Sequence, residues 1–100
     1  MNLPVELSPE AEDDVANAVV WHETKSSGLG TSLLRESRCA LERLSDYPES
    51  FPEMRAGVRR SPVRRFPYGV FYRVRNSTVE VIGIFHNHRS PKIWQKRTRH

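Results

Sequence analysis

An α+β fold is predicted for this 100-residue chain, with both helices on one face of a mainly antiparallel sheet. Three observations predict it. The apolar period is three to four residues before Pro48 and two residues after Gly57. A short alternating stretch precedes the helical region, so strands lie at both ends of it. The connector between the two helical segments is only a few residues, which forces an antiparallel hairpin. A chain of this size holds one core, so residues 1–100 form one domain.

Leu3-Pro4-Val5-Glu6-Leu7 reads as the first strand, with Leu3, Val5 and Leu7 on one face. Pro4 has no amide to donate, so that strand should lie at an edge or pair incompletely there. Ser8-Pro9-Glu10 is a helix start: an N-cap hydroxyl, a proline at the first helical position, and acidic residues at the positive end of the macrodipole. This helix should run to about Lys25, with Ala11, Val15, Ala18, Val19 and His22 on its buried stripe. Glu10, Asp13, Asp14 and Asn17 fall on the opposite face, and Trp21 falls with them, so Trp21 should cover a loop or a partner chain. Ser26 to Gly30 is a turn. A second helix from about Leu29 to Tyr47 follows, with Leu33, Leu34, Ser37, Ala40, Leu41, Leu44 and Tyr47 at packed-helix spacing, and Pro48 ends it.

Residues 48–56 read as irregular. Val58–Ser61 is a candidate strand. Tyr68–Val74 and Thr78–His86 form a hairpin about Asn76-Ser77. The first of these puts Tyr68, Val70, Tyr72 and Val74 on one face. The second is apolar on both, with Val79, Val81 and Phe85 on one side and Ile82 and Ile84 on the other, as suits a central strand. A basic tail, residues 90–100, ends the chain.

Composition excludes several classes. No apolar run approaches the ~20 residues of a membrane span, and the N-terminus lacks a secretory pattern. The single cysteine, Cys39, makes no internal disulfide and supplies no cysteine-rich zinc site; a cytoplasmic location is the expectation. Charge is divided unevenly. Residues 1–50 hold four basic and ten acidic residues, whereas residues 51–100 hold twelve basic and two acidic. Such asymmetry suggests a polyanionic or acidic partner for the second half.

Three segments carry candidate chemistry. Arg55, Arg59, Arg60, Arg64 and Arg65 offer guanidinium forks for phosphate or carboxylate, or a charged strand edge that blocks aggregation. His86 and His88 stand at the end of the predicted central strand; a histidine among arginines suits acid–base work on a phosphodiester, or an ordinary strand-end hydrogen bond. Trp94, set among cations with Arg89 and Arg97, either packs back on the sheet or anchors a partner. No glycine-rich phosphate loop and no carboxylate pair in the basic half are present, and no metal or cofactor is expected.

Taken in order, Ser8-Pro9-Glu10-Ala11, Val20-Trp21-His22-Glu23, Gly28-Leu29-Gly30, Leu44 to Pro48 with Phe51-Pro52, Val63 to Val74, Val81 to His86, and Arg89-Ser90-Pro91 with Trp94 and Arg97 resemble the ParE branch of the RelE/ParE superfamily of type II toxin–antitoxin toxins. Position 22 departs from the pattern, with histidine in place of an aromatic such as tyrosine. The resemblance implies a toxin neutralised by a cognate, ParD-like antitoxin and directed at DNA gyrase by protein–protein binding, with no catalytic residues of its own. Trp21, Arg59, Arg60, Arg64, Arg65, Phe66, Arg89, Trp94 and Arg97 are the candidate contacts to antitoxin or target. RelE-type relatives instead cut messenger RNA in the ribosome; on that alternative Arg73, His86 and Arg89 would be catalytic, although no tyrosine follows the last strand. A second alternative is a non-toxic binding module of the same fold.

Overall fold

Ser8 starts the first helix as its residue type predicts. Its Oγ accepts from the Ala11 amide at 3.1 Å, with Pro9 at the first position. In the computed structural model, which describes residues 2–88 and 92–98, β1 (Val5–Leu7) precedes two helices, α1 (Pro9–Lys25) and α2 (Leu29–Asp46). β2 (Glu53–Arg55), β3 (Val58–Pro62), β4 (Tyr68–Arg75), β5 (Thr78–His86) and α3 (Lys92–Arg97) follow. The sheet order is β1-β5-β4-β3-β2. All neighbours are antiparallel except β1, which pairs with β5 in parallel through Val5–Val79, Glu6–Glu80 and Leu7–Val81.

The turn between the helices shows how the hairpin closes. Gly28 stands at the N-cap of α2 with φ 88° and has no side chain to offer the free amides. Glu23 of α1 supplies the acceptor instead: its two carboxylate oxygens take the Gly28 amide at 2.8 Å and the Gly30 amide at 2.9 Å. These bonds to Gly28 and Gly30 pull the Glu23 carboxyl below its ordinary value. Gly30 is where the helices touch, since a Cβ there would sit 2.5 Å from the Val19 carbonyl oxygen.

Ala11, Ala18, Leu33, Ala40 and Leu44 pack against Val70, Tyr72, Val79, Val81 and Ile84 on one sheet face. The other face carries a second cluster: Val58, Phe71, Ile82 and Phe85 beneath Trp94 of α3.

Three expectations need correction, and the basic tail gains an element. Residues 48–56 are not wholly irregular, because Glu53–Arg55 adds a short edge strand to β3. The basic tail contains a helix, α3, whereas Arg89, Ser90, Pro91, Arg99 and His100 lie outside the described residues. The faces of β5 exchange halfway along. Phe71 stands opposite Gly83 and Tyr72 opposite Val81, so Ile82 is the extra residue of a β-bulge. Past it the alternation shifts by one: Ile84 joins Val79 and Val81 beneath the helices, and Phe85 joins Ile82 on the opposite side. Finally, Asp14 does not lie with the solvated residues of α1. Its side chain is 17% exposed. It accepts the Ile84 amide at 3.1 Å and pairs with Arg97 of α3 at 2.6 Å.

Because its pKa is depressed in the folded chain, Glu23 adds stability above its ordinary value of 4.5 that is lost as pH falls through the folded value. Glu23→Gln should therefore unfold at lower urea than the parent at pH 7, and the gap should shrink below about pH 4.5. Urea titrations of both chains at several pH values check this.

Candidate partner-binding site

The beginning of β4, the end of β5 and the last turns of α1 meet at one end of the sheet. The α1 stripe carries His22 inward, to 9% exposure. Its Nε2 lies 3.3 Å from the Tyr68 hydroxyl, while its Nδ1 has no partner among the described residues. The His22 ring meets Trp21, Phe66 and Tyr68 edge-on at 4.8, 5.4 and 5.7 Å. Tyr68 meets His86 at 5.4 Å, and His86 meets His88 at 5.4 Å. The His88 amide donates to His86 Nδ1 at 3.1 Å.

Trp21 remains 55% exposed, with Lys25 Nζ 5.0 Å above its ring. Beside it, the β3–β4 turn is drawn tight by the Phe66 amide on the Val63 carbonyl (3.4 Å) and the Tyr68 amide on the Phe66 carbonyl (2.8 Å). Arg65 takes φ 72° there, and the turn holds Arg64 and Arg65 out in solvent. Neither guanidinium has an ion-pair partner among the described residues. A groove runs alongside, with Asp14, Asn17 and Trp21 on the α1 wall and Ile84, Phe85 and His86 on the β5 wall. Trp21, Arg64, Arg65, Phe66 and His86 are thus brought together.

Other candidates are placed elsewhere. Arg59 donates to the Phe51 carbonyl and, at 3.4 Å, to the Glu49 carbonyl. It also faces buried Tyr72, whose hydroxyl donates to the Pro48 carbonyl at 2.8 Å. Burial pushes the Tyr72 hydroxyl up from its ordinary value, and the Arg59 charge opposes that in part. Arg60 lies on the opposite face, bonded to Asn87 Oδ1 and 6.0 Å from the Phe71 ring. Arg97 is held by Asp14 and by the Ile82 carbonyl at 3.1 Å. Trp94 is 2% exposed and stacks on Phe71 at 6.0 Å, so it packs back on the sheet and is no exposed anchor. Arg89 lies outside the described residues.

The catalytic alternative fares differently. Arg73 shares the face of Phe71 and binds Glu80 at 3.2 Å, where Arg75 also reaches at 3.4 Å. His86 pairs with Tyr68, which stands on the face of Val70 and Tyr72. Arg73 and His86 therefore point to opposite sides of the sheet. Among the described residues no group of three or more His, Cys, Asp or Glu side chains is placed to hold a metal ion.

The Asp14 and Glu23 contacts and the His22–Tyr68 bond are not legible in the sequence. A carboxylate on a polar helical face gives no sign that a strand amide needs it. The histidine on an apolar stripe was the only available signal for the third.

A family model described as the ParE toxin of type II toxin–antitoxin systems, parDE, matches residues 5–91. No curated protein matches the chain. Among solved structures, the chromosomal ParDE system from P. aeruginosa is similar at TM-score 0.70 and 17% identity, over 84% of this chain and 95% of that one. A mutant of the E. coli toxin RelE in its free state is similar at TM-score 0.73 and 14% identity, over 99% and 97%. The toxin–antitoxin complex RelBE2 from Mycobacterium tuberculosis gives 0.58 and 20% identity, over 86% and 92%. At such identities these likenesses establish the fold.

Tyr68→Phe removes the one hydrogen bond that the buried His22 imidazole makes among the described residues. We expect it to lower stability by ~1–3 kcal/mol, measured by urea unfolding at neutral pH; an unchanged midpoint would show that the His22–Tyr68 contact contributes nothing.

Proposed function

The chain belongs to the ParE toxin family and is a toxin of a type II toxin–antitoxin system; from that premise we propose that it arrests growth by binding DNA gyrase. It does so by surface contact without an active site of its own, and a cognate antitoxin neutralises it. The observation that carries this reading is the separation of Arg73 from His86 across the sheet, with Arg73 engaged by Glu80 and His86 Nδ1 engaged by the His88 amide. Arg73 and His86 on opposite faces do not converge on one substrate, which favours binding over catalysis by that pair. What the chain does offer is an exposed surface of Trp21, Phe66, Arg64 and Arg65, whose chemistry fits an acidic and apolar segment. A standard interface of ~1,600 Å² in total would suffice for tight binding by an antitoxin. Gyrase works on DNA in the bacterial cytoplasm, and no helix among the described residues is long and apolar enough to cross a membrane.

The phenotype on induction tests the target. Gyrase poisoning predicts a DNA-damage response with altered supercoiling while translation continues at first. Prompt translational arrest with cleaved messenger RNA would instead establish the ribosome-dependent nuclease, and growth without arrest the non-toxic module. On the binding side, the variant carrying Trp21→Ala, Arg64→Ala and Arg65→Ala should lose at least about tenfold in affinity for the product of the neighbouring antitoxin gene, with a shallower salt dependence.

A further inference from the structure

The sheet ends on β2, at the edge farthest from β1. All three residues of this strand, Glu53, Met54 and Arg55, are exposed, and Met54 shows 47% of its surface. Pro52 precedes the strand and has no amide to extend the ladder. After it, Ala56 (φ 55°) and Gly57 (φ 79°) turn the chain back into β3. Among the described residues, the backbone of β2 pairs with β3 alone. Its two charges are also unspent. Glu53 accepts the Gly57 amide at 3.2 Å, a neutral donor, and neither Glu53 nor Arg55 has an ion-pair partner among the described residues.

We infer that β2 is a self-association edge, which pairs antiparallel with β2 of a second copy about a two-fold axis at Met54. The order of its residues decides the partner. In an antiparallel pair centred on Met54, Glu53 of each copy stands opposite Arg55 of the other, and the two methionines meet at the centre. One contact is thus made twice, with opposite charges at both ends. A parallel pair in register would set Glu53 against Glu53 and Arg55 against Arg55, and is disfavoured. The strand is short and its register on β3 shifts between Glu53 and Arg55, so it offers little to an arbitrary chain; the charge order supplies the selectivity. Three residues a side give a contact of the weak, transient class, below about 1,200 Å² in total. The consequence is a bivalent molecule. The β2–β3 and β3–β4 turns lie at opposite ends of β3, so Arg64 and Arg65 stay open in the pair. Trp21 and the groove beside β5 lie across the sheet from β2. Each pair therefore displays the partner-binding surface twice, and a partner with two matching segments is held at raised effective concentration.

Sedimentation equilibrium of the purified full chain, at low salt and over rising concentration, tests this. The weight-average mass should climb from the 11.6 kDa of the monomer toward twice that value, and fall back as salt is raised. Glu53→Arg and Arg55→Glu each set like charges opposite one another, so each variant alone should lose at least about tenfold in self-association. Arg55→Glu leaves the Glu53–Gly57 bond in place, so its loss does not come from the hairpin. An equimolar mixture of the two variants should associate again, because the doubly acidic strand of one meets the doubly basic strand of the other. A chain that stays monomeric at every concentration overturns the proposal. So does self-association unchanged by Arg55→Glu, or a mixture of the two variants that stays monomeric. Association abolished by Trp21→Ala would place the contact on α1 and overturns it as well.

Discussion

One carboxylate joins three parts of this molecule. Asp14 leaves the middle of α1, takes the Ile84 amide where β5 resumes after its bulge, and grips Arg97 of α3 with both oxygens, at 2.6 and 3.2 Å. Gly83 makes the approach possible: a Cβ there would fall 2.6 Å from Arg97 Nη1 and 2.9 Å from Asp14 Oδ2. The consequence is structural before it is functional. A strand edge left uncovered by β1 is closed at Ile84 by a side chain, which also keeps it from pairing indiscriminately. The same contact tethers the short helix that covers Phe71, Ile82 and Phe85 with Trp94. A helix of six residues has little stability of its own; packing and this tether hold it.

The clasp also shapes how charge is spent. The basic second half is not neutralised as a block. Arg97 goes to Asp14, and Arg73 and Arg75 share Glu80. Arg59 and Arg60 bond neutral oxygens, which hold their geometry and leave their charge standing. Arg64 and Arg65 have no carboxylate partner among the described residues, and they project beside Trp21 and Phe66. The outcome is a local cationic and aromatic surface at the α1–β4–β5 end rather than a positive sheet face as a whole.

Much of the framework could be read from residue order, because local rules and tertiary packing agree there. Ser8-Pro9 caps α1, Pro48 follows α2, and Val70 and Tyr72 alternate inward as their period demands. Two features escaped because their causes are not local. The bulge at Ile82 moves Phe85 and Ile84 to each other's expected faces, and an unbroken apolar run such as Val79–Phe85 hides a shift of one residue. Helical period put Asp14 on the face opposite the apolar stripe, and only the edge of a strand about seventy residues later explains its burial. For the site, Trp21 was visible as an apolar type on the polar face of α1 and Arg64 and Arg65 as members of an arginine run, while Phe66 entered with the family resemblance. Their convergence depended on which end of the sheet each element reaches. Trp94 went the other way: a tryptophan among cations found an apolar face formed by Phe71 and Phe85.

The most direct measurement of this account is the unfolding free energy of Asp14→Ala in urea, read together with Trp94 fluorescence in a Trp21→Phe background. Removing the carboxylate strands Arg97 and the Ile84 amide in a partly buried site. The account predicts a loss of ~2 kcal/mol and a red-shifted Trp94 emission well before global unfolding, as α3 comes away. Stability within about 0.5 kcal/mol of the parent and an unshifted Trp94 would contradict it, and would show that the sheet edge and α3 hold together without the clasp.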